Sequence, residues 1–129
     1  MRLLLDTHVL LWWLDDDPRL RASVRGVIAD GQHEAFVSVV SFWELSIKQR
    51  KGKLRSGGVE AWKRSLGQGF RILDIERVHL ESLALLPQVQ DHKDPFDQLL
   101  LAQAEAENAA LITADRALTQ YGVRCIGVR

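Results

Sequence analysis

Short apolar runs alternate along the chain with longer amphipathic segments, and this alternation predicts an α/β fold. Five runs have the length and aliphatic content of buried strands, at residues 2–5, 35–38, 71–73, 110–112 and 124–126. Because helical segments separate these runs, each connection can form a right-handed crossover between parallel strands. The pattern therefore predicts a central, mainly parallel sheet that helices cover on both faces.

Breaker and capping residues refine the helical segments between these strands. Pro18 can open the second helix, Gly52 stops the third, and Asp94 before Pro95 starts the clearest one. The predicted helices span residues 9–14, 18–29, 42–51, 59–66, 80–86, 95–108 and 115–121. No repeat, linker or low-complexity tract divides the 129 residues, so we expect one domain over 1–129.

Four carboxylates mark the transitions from apolar run to helix. Asp6 directly follows the first strand, Glu44 lies about one turn beyond the second, and Asp115 closely follows the fourth. Asp97 lies in the first turn of the clearest helix. Ligands of an open parallel sheet bind beyond the carboxyl ends of its strands, so these acids can converge. Grouped carboxylates repel one another unless a cation or protons share the site, which makes them a candidate metal site.

Helix capping is the alternative interpretation of each acid. Residues 41–44 read Ser-x-x-Glu, a capping box in which Glu44 caps its own helix. Asp6 can cap the first helix, Thr113 the last, and Asp94 the clearest one. The two interpretations are compatible, because helix N-termini favour the ionised carboxylates that bind Mg²⁺ or Mn²⁺.

Composition and charge restrict the function only in part. The 47% hydrophobic and 26% charged residues are ordinary for a soluble globular protein, and the single Cys125 excludes an intrachain disulfide. Residues 3–5 end at an acid too early for a signal peptide, so we expect a cytoplasmic protein without a membrane segment. Net charge is zero, but residues 45–71 hold eight basic residues and one acidic residue. This segment suits a polyanion, although a solvated helix face is the plainer interpretation.

The ordered motifs resemble those of PIN-domain proteins, and specifically VapC-type toxins of bacterial and archaeal toxin–antitoxin pairs. The resemblance covers nearly the whole chain, through residues 3–14, 38–48, 92–104 and 111–115. It implies a three-layer α/β/α sandwich with a central, mainly parallel sheet. It also implies a ribonuclease that depends on Mg²⁺ or Mn²⁺.

The resemblance assigns a role to each acid. Asp6 and Asp97 would hold the cation most directly, while Glu44 and Asp115 would orient water or complete a second ion site. Asp97 fits the third acid position better than Asp94, because Leu-Leu-Leu-Ala-Gln-Ala follows it at the expected spacing. Asp94 stays a second-choice ligand or a cap.

Residues beside the acids are candidates for supporting roles. Thr7 and Thr113 can hydrogen-bond a carboxylate, water or phosphate, or can simply cap a helix. His8 and His92 are better explained by solvent or local hydrogen bonds than by catalysis. The candidate RNA-backbone contacts follow Glu44 along the chain and are Lys48, Arg50, Lys51 and Lys53.

Protein partners are implied by the resemblance rather than by the residues. They are a small antitoxin lying across the toxin and a second copy in a homodimer. Trp12, Trp13 and Trp43 are candidates for such contacts, although the core is the favoured place for Trp43. Trp12 and Trp13 cannot point the same way on one helix, so one is expected at a surface.

Other functions stay open. A nuclease acting on DNA or in RNA processing fits the same acids, whereas a non-catalytic PIN-like binding module fits an intact acid set poorly. A receiver domain needs adjacent acids after its first strand and a late lysine. Thr7 follows Asp6 here, and no lysine follows position 93. His8 stands where a D-x-D phosphatase has its second acid.

Overall fold

Five parallel strands form one central sheet in the computed structural model, which describes residues 1–128. Residue 129, the end of the expected domain, lies outside the described residues. The strands are β1 (Arg2–Leu5), β2 (Glu34–Ser38), β3 (Arg71–Leu73), β4 (Ala110–Thr113) and β5 (Cys125–Gly127). They lie in the order β3-β2-β1-β4-β5, and every neighbouring pair is parallel. The predicted parallel sheet is confirmed.

Helices connect consecutive strands, as the sequence predicted. They are α1 (Thr7–Leu14), α2 (Ala22–Ala29), α3 (Val39–Arg50), α4 (Gly58–Gly67), α5 (Arg77–Leu85), α6 (Pro95–Ala106) and a 3₁₀-helix (Arg116–Tyr121). Across residues 1–128, none of these helices combines the length and apolarity that crossing a bilayer requires.

The second helix begins four residues later than predicted, at Ala22 rather than at Pro18. The Asp17 carboxylate instead accepts a hydrogen bond from the Arg19 backbone N–H at 2.9 Å and pairs with its guanidinium at 2.7 Å. The Leu20 N–H donates to the Asp17 carbonyl at 3.0 Å, which closes a turn. Aspartate before proline favours such a turn, and here the turn prevails over the helix start.

Successive strand residues point to opposite faces of the sheet and build two separate cores. In β1, Leu3 and Leu5 contact the core that α1, α2, α3 and α4 complete, whereas Leu4 contacts the core under α6 and the 3₁₀-helix. All three leucines are at most 1% exposed. A strand buried on both faces explains the continuous apolar run in the sequence. The three-layer α/β/α arrangement is therefore confirmed.

The order of the strands creates a crevice between β1 and β4. The chain builds outward from β1 through β2 to β3, then crosses to the other side of β1 for β4 and β5. The Asp6 N–H donates to the Ile112 carbonyl at 3.0 Å, so pairing continues to the carboxyl end of β1. Connections diverge on the two sides of this point, which is where open α/β sheets bind ligands.

A buried polar network joins the sheet to α5 and α6. The fully buried His79 accepts a hydrogen bond at Nδ1 from the Glu76 N–H at 3.0 Å, so its proton lies on Nε2 and is shared with Glu107 at 2.8 Å. The same contact lowers the pKa of Glu107. Gln103 of α6 contacts the Ser38 hydroxyl at 2.5 Å. Both ring nitrogens of His79 are thus engaged, which is the arrangement of a structural histidine.

Close packing of α4 against α3 gives a test of the fold. A Cβ at Gly58 would overlap the Phe42 carbonyl and the Ser46 hydroxyl, whereas a Cβ at Gly67 would meet no atom within 4 Å. We expect Gly58→Ala to lower the free energy of unfolding by about 1–3 kcal/mol, because the α3 backbone must shift. Gly67→Ala should be neutral or stabilising by up to about 1 kcal/mol. Urea denaturation of both variants measures the difference, and equal midpoints would contradict the packing.

Candidate metal centre

The four acids singled out in the sequence line one cleft at the carboxyl edge of the sheet. The cleft has a volume of about 580 Å³. Its lining residues are Asp6, Thr7, His8, Trp12, Arg19, Glu44, Asp94, Asp97, Ala114 and Asp115. The structure thus brings together residues from both ends and the middle of the chain, as the parallel sheet predicted.

Asp6 lies between the end of β1 and the start of α1. It is the N-cap of α1, and its Oδ1 accepts a hydrogen bond from the Val9 N–H at 2.9 Å. The residue is only 5% exposed, and this burial raises its pKa above the ordinary 3.8. The Glu44 charge adds to the rise, while hydrogen bonds from the Thr113 hydroxyl and the Val9 N–H oppose it. Asp6 therefore caps a helix and presents a buried carboxylate to the cleft at the same time.

Glu44 does not cap its helix, and the capping interpretation of this residue is wrong. Helix α3 begins earlier, with Ser38 as its N-cap, so Glu44 lies in the second turn and is 7% exposed. Its Oε1 accepts a hydrogen bond from the Thr7 hydroxyl at 2.7 Å. Its Oε2 lies 3.1 Å from the Lys48 ammonium. The Thr7 contact joins residues far apart in the sequence, whereas the Lys48 contact follows the i, i+4 spacing of a helix.

Thr7 supports the cleft by orienting Glu44. A carboxylate can only accept, so the Thr7 hydroxyl proton goes to Glu44, and the Ser41 hydroxyl donates to the Thr7 oxygen at 2.9 Å. All three residues are buried. Ser41 was missed as a site residue, although its place three residues before Glu44 puts it on the same side of α3.

Asp97 is the acid whose protonation the cleft alters most clearly. It occupies the third position of α6, where Asp94, the N-cap, accepts its N–H at 3.2 Å. Burial raises the pKa of Asp97 to about 7, and repulsion by Asp94 contributes. Asp6 and Glu44 also repel it, while His92, 3.4 Å away through Nε2, lowers the pKa. A cation bound beside Asp97 would therefore compete with a proton for this carboxylate.

Asp115 completes the group from the far side of the crevice. It caps the 3₁₀-helix through the Ala117 N–H at 2.9 Å, so the cap is Asp115 and not Thr113 as predicted. Thr113 instead accepts the Asp115 N–H at 3.0 Å. Potential ligand atoms of His92, Asp97 and Asp115 all lie within 4.8 Å of one another. The more exposed Asp115 forms the rim of the cleft.

His92 is held in place and is not free in solvent. Its Nδ1 lies 2.7 Å from the Tyr121 hydroxyl, and the two rings meet edge to face. This contact directs Nε2 toward Asp97. The expectation of a locally bonded histidine is confirmed, but the partner across the ring is one of the site acids.

A match along nearly the whole sequence identifies the family of this chain. The family model of the PIN domain matches residues 3–123. The chain belongs to the PIN-domain family. A curated relative, Ribonuclease VapC22 of Mycobacterium tuberculosis, is 28% identical over 119 residues, which cover 92% of this chain and 90% of that protein.

Solved structures share the PIN fold of this chain. VapBC2 from Rickettsia felis, bound to a DNA fragment from its promoter, matches with a TM-score of 0.79 and 18% identity, over 100% of both chains. VapBC-1 from nontypeable Haemophilus influenzae matches with a TM-score of 0.71 and 18% identity, over 98% of both chains. At these identities the likeness shows the fold, in agreement with the PIN match.

The donor set of the PIN cleft fits a hard divalent cation. Carboxylate oxygens are the ligands that Mg²⁺ and Mn²⁺ prefer, whereas soft metals prefer thiolates. Cys125 is not among the cleft-lining residues. Burial and then repulsion by Asp94, Asp6 and Glu44 raise the pKa of Asp97, and a bound cation would offset that repulsion.

The four basic residues that follow Glu44 fall into two groups according to their distance from the cleft. Lys48 contacts the cleft through Glu44. The exposed Arg50, Lys51 and Lys53 lie beyond it, at and after the end of α3, and do not line the cleft. Arg19, which does line it, was missed by sequence reasoning; it is paired with Asp17 and lies over the Trp12 ring.

Of the three tryptophans discussed above, one does not lie where it was predicted. Trp12 is 8% exposed and Trp13 is partly buried, so the two do face differently. Trp43 is 55% exposed, and its expected core position is wrong. Its ring meets Phe96 edge to face at 4.9 Å, on the outside of α3 and α6. In Phe42-Trp43 the helix can bury only one of two adjacent rings, and it buries Phe42.

The raised pKa of Asp97 predicts how the stability of the metal-free protein depends on pH. The folded pKa of about 7 exceeds the ordinary 3.8, so the folded state gains stability from the protonated acid below pH ~4 and loses it as pH rises toward ~7. We expect Asp97→Asn to raise the melting temperature in EDTA at pH 7, with the gain shrinking toward pH 4. Asp74→Asn, an exposed change outside the cleft, should show no such trend. A pH-independent difference for Asp97→Asn would contradict the assignment.

Proposed function

We propose that this PIN domain, over residues 1–129, is a metal-dependent endoribonuclease and the toxin of a toxin–antitoxin pair. The convergence of Asp6, Glu44, Asp97 and Asp115 in one cleft carries the proposal. The relative named as a ribonuclease supports the reaction, and the likeness to toxin chains of VapBC complexes supports the biological role.

Asp6 and Asp97 are the residues that we propose to hold the cation. Both line the cleft, Asp6 directly after β1 and Asp97 in the first turn of α6, and burial raises the pKa of each, so both would gain from a nearby positive charge. Bound Mg²⁺ or Mn²⁺ would acidify a water and neutralise phosphate oxygens. Glu44 and Asp115 would align that water from the remaining sides. Glu44 is suited to this role because Thr7 fixes its orientation.

Two supporting residues keep the proposed ligands in place. The Thr113 hydroxyl contacts Asp6 and accepts the Asp115 N–H, so it connects two acids across the crevice. His92, anchored by Tyr121, holds Asp97 from the outside. Asp94 accepts the first N–H groups of α6, which makes it a cap first and a second-choice ligand.

The RNA backbone is proposed to lie along the exposed end of α3. Arg50, Lys51 and Lys53 supply three positive charges there, several ångströms beyond Glu44 along the helix axis. Phosphates on this surface would lead the chain toward the acids. Contacts to the backbone add affinity without reading sequence, so this segment does not select the RNA.

A small antitoxin and a second copy of the chain are the proposed protein partners, and the cytoplasm is the proposed compartment. Exposed apolar side chains offer surfaces for such contacts. Trp43 on α3 is one, and Val59, Trp62 and Leu66 on α4 form another. Aromatic residues of this kind concentrate in protein interfaces.

Substitution of the two aspartates at the start of α6, one at a time, tests the proposed RNA cleavage. We expect Asp97→Asn to lower the rate of RNA cleavage at least ~100-fold, because a charge facing the cation is lost. Asp94→Asn should keep the rate within a few fold, because asparagine is an equally good N-cap. End-labelled RNA incubated with purified protein and Mn²⁺ gives both rates, and far-UV circular dichroism verifies the fold. Equal rates for Asp97→Asn and the unaltered protein would refute the proposed site.

Dependence on the cation is tested separately. EDTA should abolish cleavage by the unaltered protein, and excess Mn²⁺ should restore it. The added cation should also raise the melting temperature at pH 7, because it binds only the folded cleft. The thermal shift should be lost in Asp97→Asn. Cleavage that persists in EDTA would point to a reaction without metal.

A further inference from the structure

Lys48 lies one turn after Glu44 on α3 and reaches back toward the edge of the sheet. Its ammonium is 3.1 Å from the Glu44 Oε2, and the Glu44 side chain is only 9% exposed. An ordinary glutamate–lysine pair on a helix surface leaves both side chains in water and contributes little. This pair differs because its acid is buried and faces the cleft.

The Glu44 carboxylate is occupied at both oxygens. Oε1 accepts the Thr7 hydroxyl at 2.7 Å, and Oε2 faces the Lys48 ammonium. The carboxylate is thus oriented by a neutral donor on one side, and its charge is partly offset by an ammonium on the other. Arg19, which also lines the cleft, is paired with Asp17, so Lys48 is the side chain whose ammonium contacts Glu44.

We propose that the Lys48 ammonium takes the place of a second divalent cation beside Glu44 and thereby limits the cleft to one ion, at Asp6 and Asp97. The inference rests on the proposed function, which supplies that ion. An ammonium and a divalent cation sharing Oε2 would repel each other strongly in a partly buried site. Lysine supplies its single charge on a flexible stem, whereas a second Mg²⁺ would demand an octahedral ligand set.

The two halves of the cleft would therefore have different roles. The half at Asp6 and Asp97 keeps its repulsion and takes the divalent cation. The Lys48 ammonium already offsets part of the Glu44 charge, so this carboxylate acts by hydrogen bonding. Lys48 is in these terms a positioning residue, and two of its three ammonium protons remain for a phosphate oxygen.

Counting bound Mn²⁺ tests this role without measuring catalysis. The purified protein is titrated with Mn²⁺, and the free ion is followed by electron paramagnetic resonance. We expect one Mn²⁺ per chain for the unaltered protein and two for Lys48→Met and for Lys48→Gln. Lys63→Met is the matched control, because it removes the same charge from an exposed residue of α4, outside the cleft lining. It should bind one.

A double variant locates the added ion. Lys48→Met combined with Glu44→Gln should return to one Mn²⁺, and a second ion that persisted there would overturn the proposal. Two ions in the unaltered protein would also overturn it. One ion in both Lys48 variants, with only a change in melting temperature, would overturn it as well, because that result is expected of an ordinary glutamate–lysine pair on a helix surface. An unaltered protein that binds no Mn²⁺ would instead overturn the proposed function and this inference with it.

Discussion

Parallel pairing of β1 on both of its edges is the constraint on which the cleft depends. Leu5 is in register with Val37 of β2 and with Ile112 of β4, so the three strands end within one residue of the same level. The next residues along each strand therefore begin their helices side by side. A slip of one residue would keep leucines on both faces of β1, but it would shift Asp6 relative to the acids that follow β2 and β4. The register of β1 thus fixes the chemistry at its end.

The same constraint has an electrostatic cost. The strand ends bring carboxylates into a partly desolvated space, and burial raises the pKa of both Asp6 and Asp97. Hydrogen bonds from Thr7, Thr113 and the Val9 N–H offset part of this cost for individual acids, but none of them supplies a positive charge. Buried carboxylates of this kind are typical of functional sites, and they lower the stability of the folded protein.

Much of the fold and the outline of the site could be predicted from sequence, because both depend on local patterns. Buried strands give apolar runs, and an acid that directly follows such a run must lie at the sheet edge, as Asp6 does. The bond between Glu44 and Thr7 could not be predicted, since it joins residues 37 positions apart. Trp43 was misplaced for a related reason: adjacent aromatic residues suit a buried helix equally well, and only the packing of α3 and α6 decides between them.

The start of α2 shows the opposite case, in which a strong local signal misled. Proline is as favourable in a turn as in the first turn of a helix, and the choice was made by the Asp17 carboxylate, which binds the Arg19 N–H and guanidinium. Sequence rules rank such alternatives poorly because they consider one residue at a time. Here two neighbouring side chains act together.

The contact between Ser38 and Gln103 affects how the cleft would bind a cation. Ser38 caps α3, which carries Glu44, and Gln103 belongs to α6, which carries Asp97. The two helices are therefore tied beneath the cleft by a buried bond, and neither can tilt without breaking it. A cation bound in the cleft, as proposed, would meet carboxylates whose spacing this bond helps to fix, so selectivity among cations would come from that spacing.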